Sequence, residues 1–182
     1  MDFWSVISGH CATPLNVANA SERLEAALRE MPGEEVLEFC RAFDEKMEES
    51  YIWELWGVAY LINGGCSDDS FLDFRASLIA LGEQAFEAAK SDAESLLHFD
   101  RAQLTEMFEE GLLYCGPTAF EAVAGSQVDT GVERREQPAG AEWEETAASL
   151  SERFPKAWKI YGWDETGAQG GGKGGKPWWR FW

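Results

Sequence analysis

A chain of 182 residues that is 45% hydrophobic is long enough for one well-buried core and too short to demand two full domains. Its 15 Lys and Arg against 33 Asp and Glu leave a formal net charge of -18, which disfavours direct binding of phosphate backbones and favours basic partners, cations, or a soluble monomer. No run reaches the ~18 uninterrupted apolar residues of a membrane span, and the Met1-Asp2-Phe3-Trp4-Ser5 start lacks a positive n-region, so a cytoplasmic protein is expected.

The predicted elements are all helical. A helix over residues 2–8 places Phe3, Trp4 and Ile7 on one face, and the Pro14 region separates it from the next. Asn19 with Glu22 predicts a capping box for a helix through Arg29, which Met31-Pro32-Gly33 breaks. From Glu34 the residues Val36, Phe39, Cys40, Phe43 and Met47 recur at helical spacing with acids between them. Tyr51 to Ile62 reads YIWELWGVAYLI, apolar on every face except for Glu54, the pattern of a helix buried all round. Ser67 starts another helix with Phe71, Phe74, Leu78 and Ile79 inward, and a shorter one follows Gly82 through Ala89.

Asp100 and Gln103 predict a second capping box, leading into Leu104, Met107, Phe108 and Leu112, with Gly116-Pro117 ending that helix and starting a further turn of helix over Thr118 to Val123. Residues 125–140 lack periodicity and read as a linker, ordered or mobile. Trp143 to Phe154 predicts the last helix, after which Pro155 to Tyr161 lays Trp158 and Tyr161 back on the body. Sustained period-two runs of β-branched residues are missing, so the expected fold is all-α. It is read as a single compact orthogonal helical domain over 1–163, followed by a disordered Gly-rich C-terminal tail over 164–182.

The stretch Ile62-Asn63-Gly64-Gly65-Cys66-Ser67-Asp68-Asp69-Ser70-Phe71 admits two readings. As a corner, Asn63 and the glycines end one helix, Ser67 caps the next, and Asp68 and Asp69 sit in a first turn where the helix dipole favours negative charge. As a site, Asp69 and Asp73, four apart, share a helical face that could bind a cation. Glu54, if buried without a partner, would have a raised pKa, as a general acid requires, whereas a partner would make it structural. Arg75 is expected to pair with an acid. Glu54, Asn63, Asp68, Asp69, Asp73 and Arg75 are therefore the candidate ligand or partner site.

Other chemistry is poorly supported. Cys11, Cys40, Cys66 and Cys115 are widely spaced and read as reduced thiols, and acids around Cys66 should raise its pKa. His10 and His98 form no zinc-binding pattern. Trp53, Trp56 and Tyr60 at i, i+3, i+7 read as core rather than as a stacking platform. Gly167-Ala168-Gln169-Gly170-Gly171-Gly172-Lys173-Gly174 resembles a phosphate loop but has Gly174 where Ser or Thr is needed, with no flanking strand or helix, and reads as a spacer. It presents Lys176-Pro177-Trp178-Trp179-Arg180-Phe181-Trp182, whose rings and cations suit a partner groove, a membrane headgroup layer, or docking on the acidic body.

The segment Trp56-Gly57-Val58-Ala59-Tyr60-Leu61-Ile62-Asn63-Gly64-Gly65-Cys66-Ser67-Asp68-Asp69, with Phe71 and Phe74-Arg75 after it, resembles the signature of the bacterial domain-of-unknown-function family 4240 (DUF4240). Phe3-Trp4, Leu112-Leu113-Tyr114 and the Pro155 to Tyr161 ending are similar too, so the resemblance spans nearly all of residues 1–163. It implies a small bacterial protein of a family with no established activity, and it supplies no catalytic residues. Ser77 and Leu81 depart from the pattern, where members more usually carry Trp and Gln.

The function expected from the sequence is a non-enzymatic regulatory, adaptor or immunity-like role, with an unidentified protein partner, no cofactor, no metal and no nucleic acid. The alternatives are a small metal-assisted enzyme using the carboxylates around Glu54 and Asp68 to Asp73, and peripheral membrane contact through Trp178, Trp179, Arg180, Phe181 and Trp182.

Overall fold

The computed structural model describes residues 1–11, 19–108 and 110–163. Expectations for 164–182, including the aromatic and basic residues from Trp178 to Trp182, lie outside the described residues. Among the described residues the order is α1 (Phe3–His10), α2 (Ala20–Arg29), α3 (Gly33–Glu49), α4 (Trp53–Asn63), α5 (Asp68–Ala80) and α6 (Glu83–Ser91), then a 3-10 segment (Ala93–His98). It continues with α7 (Arg101–Thr105), α8 (Gly111–Ala124), α9 (Ala147–Arg153) and α10 (Pro155–Tyr161). The all-α expectation holds: no strand is present among them, and an isolated parallel bridge joins Ile52 and Ala139.

One hydrophobic core runs from Phe3 to Tyr161. At its centre α4 buries Leu55 and every residue from Gly57 to Ile62, as its apolar composition requires. Trp53, Glu54 and Trp56 are only half-buried, which places one side of the first turn of α4 toward the surface. Trp53 and Trp56 stack at 5.3 Å, and Trp56 stacks on Phe71 of α5 at 4.8 Å. The second of these contacts, worth about 1 kcal/mol beyond area burial, joins α4 to α5. Every residue of α5 from Phe74 to Ala80 is buried, including Arg75 and Ser77.

Several expected boundaries move. Asn19 makes no side-chain cap, so the first predicted capping box is absent, although α2 begins beside it. The second is present: Asp100 accepts from the Gln103 amide, and the Gln103 side chain accepts from the Asp100 amide. The helix it starts ends at Thr105, where a turn brings Met107 into the core beside Leu104. A separate helix, α8, then runs straight through Pro117 instead of ending there. A mid-helix proline costs one hydrogen bond and usually kinks or breaks a helix. Here α8 is held along its length by α2 and α3, with Leu112, Cys115, Gly116 and Ala119 buried, and packing overrides local preference.

The last predicted helix, Trp143 to Phe154, shortens to α9 (Ala147–Arg153). Trp143 lies before α9 in irregular chain, donating its indole N–H to the Trp53 carbonyl at 3.0 Å, and Pro155 starts α10 at its first turn. Residues 125–140 form an ordered strap. Arg41 Nε donates to the Thr130 carbonyl at 3.2 Å, Arg135 N–H to Glu48 at 2.8 Å, and Ala139 exchanges backbone bonds with Tyr51 and Trp53.

Candidate functional site

The glycine-rich stretch is a corner. Gly64 takes the left-handed conformation at φ 70°, the Gly65 amide donates to the Tyr60 carbonyl at 2.8 Å and the Gly64 amide to Leu61. This is the Schellman closure, and a residue without Cβ fits it at least cost. Ser67 accepts from the Ser70 amide at 3.2 Å and caps α5, with Asp68 and Asp69 exposed in the first turn. Asn63 is exposed at the end of α4.

The six candidate residues do not share one site. Glu54 stands nine residues before Asn63 on α4, ~14 Å along the axis. Its carboxylate pairs with Arg153 at 2.6 Å and lies against Gly140, where a Cβ would approach Oε2 to 2.6 Å. Arg153 also donates to the Glu142 carbonyl at 2.8 Å, so Glu54 anchors the chain around 140–153 to the central helix. Arg75 does not form the expected ion pair. It is 5% exposed, and among the described residues no carboxylate reaches ion-pair distance of it. It donates from Nη1 to the Met47 carbonyl at 2.7 Å and lies between the rings of Tyr51 (4.5 Å) and Phe71 (5.1 Å). Desolvation pulls its pKa down to about 10.

The structure does bring Asp73 and Asp69 near Glu110, at the start of α8. Burial, then the charges of Glu110 and Asp69, push the Asp73 carboxyl up to about 6. Tyr114 donates to Glu110 at 2.8 Å. Among the described residues no three His, Cys, Asp or Glu side chains gather so as to hold a metal ion. All four cysteines are free and buried. Burial pushes the Cys66 thiol up to about 12, with Asp68 and Asp73 adding to it as the sequence led us to expect, and burial likewise raises Cys11, Cys40 and Cys115.

Sequence reasoning missed a groove of about 600 Å³ between α3, α8 and the strap. On α3, Phe39, Phe43 and Met47 follow i, i+4, i+8 and form an apolar stripe, with Cys40 and Asp44 one position along. Leu112, Leu113, Gly116 and Pro117 of α8 make the second wall. Gly116 permits the close approach: a Cβ there would sit 3.0 Å from Cys40 Sγ. Pro117 leaves the Leu113 carbonyl without its usual helical donor, and both residues are on the groove wall.

The strap supplies the third side through Val128, Thr130 and Val132, with Asp129 and Arg134 at the rim. Thr130 donates its hydroxyl to Asp44 at 2.6 Å, and Arg134, largely exposed, lies 3.5 Å from the other Asp44 oxygen. The groove therefore offers apolar walls of about the size of a small-ligand site, with carboxylate and carbonyl acceptors around them. The one sequence signal for it was the Gly116-Pro117 pair, which marks close packing rather than a helix end. No curated protein and no solved structure matches this chain. A family model described as "Protein of unknown function (DUF4240)" matches residues 1–122, a span that contains α1 to α7 and nearly all of α8, and the chain belongs to that family.

Proposed function

We propose that the protein acts by binding, and that the groove between α3, α8 and the strap takes an apolar, preferably aromatic, group that carries a cation. The observation that carries this reading is the combination of apolar walls with two carboxylates, Asp44 and Asp129, against a single cation, Arg134, which pairs with Asp44. It sits on a body whose first 166 residues hold 12 of the 15 cations and all 33 acids. Rings buried in such a groove gain from area removed from water, while a cation at the rim is favoured over an anion. The partner is a protein segment bearing such a side chain, and the body works as a monomer in the cytoplasm. The metal-assisted alternative has weaker support, because Glu54 is tied to Arg153 while Asp68 and Asp69 splay into solvent.

Tryptamine and indole-3-acetate, two indoles of opposite charge, test the reading by titration into isotope-labelled protein followed by NMR. Tryptamine should move the amides of Phe43, Leu113, Thr130 and Val132 together, and indole-3-acetate should bind about tenfold more weakly or worse. Equal response to both, or shifts elsewhere only, would overturn it.

A further inference from the structure

Resting on the reading of the groove as a binding site, we propose that its occupant is this chain's own Lys176-Pro177-Trp178-Trp179-Arg180-Phe181-Trp182 segment, which fills the groove in cis and must be displaced before any partner enters. The segment brings four aromatic rings and two cations, with no acid. That is the complement of a groove walled by Phe43, Leu113 and Val132 and edged by Asp44 and Asp129, whose two charges outnumber the one of Arg134 beside them. A cluster of this kind left in water is a contact site in search of cover.

Reach is satisfied. Trp163 contacts Tyr60, and consecutive ring contacts lead from there through Trp143, Trp53 and Trp56 to Phe71. None of these five steps exceeds 6.3 Å, so Trp163 and Phe71 are closer than about 32 Å. Phe71 is the neighbour in sequence of Leu72, which lines the groove. The 12 residues from 164 to 175 can extend to ~40 Å. Tethering at that length gives an effective concentration of the order of millimolar, enough for a weak peptide site to be occupied.

The test compares the full chain with a full-length variant carrying Trp178→Ala, Trp179→Ala, Phe181→Ala and Trp182→Ala, each titrated with tryptamine. Occupancy in cis predicts binding about tenfold weaker to the unaltered chain than to the variant, at every protein concentration. The synthetic heptapeptide added to the variant should move the same groove amides, and Val132→Lys in the variant should weaken that response while leaving the remaining amide spectrum in place. Tryptamine bound equally by both chains overturns occupancy by the segment and leaves the binding reading standing. Tryptamine bound by neither, with no response to the heptapeptide, overturns both. A difference that disappears on dilution assigns the segment to a second copy and overturns docking in cis.

Discussion

Asp73 is half-buried on α5 between Asp69 and Glu110, and its carboxyl is held at about 6 against an ordinary 3.8. A raised carboxyl favours the folded state most when protonated. Its contribution is complete below pH 3.8 and is lost as pH rises through 6. Asp73→Asn should therefore stabilise the protein at pH 7.5 by about 1 kcal/mol, after allowing for solvent screening of a partly exposed group. A rise in Tm of ~2–4 °C would show it. Thermal unfolding at pH 4 should find the gain gone, and a gain unchanged at pH 4 would contradict the assignment. Arg75, only two residues on, was legible as a special position but not in its surroundings. The sequence says that an arginine follows Phe74, but whether it meets an acid or the Met47 carbonyl depends on how α3 crosses α5.

Among the elements, the corner between α4 and α5 was readable because both of its halves are local. Gly64 closes one helix and Ser67 opens the next through bonds spanning five residues or fewer. Gly64→Ala should cost ~1–2 kcal/mol through left-handed strain, and Ser67→Ala about 1 kcal/mol through loss of the cap. Urea titrations should show lower midpoints with unchanged slopes. A loss below about 0.3 kcal/mol for both variants together would mean the corner does not hold these helix ends. The helix through Pro117 was not legible for the opposite reason. A proline and a glycine side by side are stop signals by propensity, and only the buried contacts of α8 with α2 and α3 outweigh them.

At the scale of the molecule, the region after α8 is joined to the central helix at Gly57. A Cβ there would fall 2.2 Å from the Phe154 ring and 3.1 Å from Trp143 Nε1, and both of these residues lie outside the span matched by the family. Gly57→Ala should cost about 2 kcal/mol by overpacking, lowering Tm by ~4–8 °C. Adding Phe154→Leu should recover part of that loss, since contacting residues are not additive. Full additivity in calorimetry would show that Phe154 is not the group displaced.

The sequence by itself determined the helical class, the centrality of Tyr51 to Ile62, the corner and the raised Cys66 thiol, because hydrophobic period, capping chemistry and neighbouring charge act over short stretches of chain. Tertiary structure alone decided the groove. Its walls come from α3, α5, α8 and an aperiodic strap up to 95 residues apart, and a strap held by Arg41, Asp44 and Glu48 has no period to announce it. It also separated Glu54 and Arg75 from the acids they were grouped with, since sequence proximity on helices fixes faces but not which neighbour each face meets.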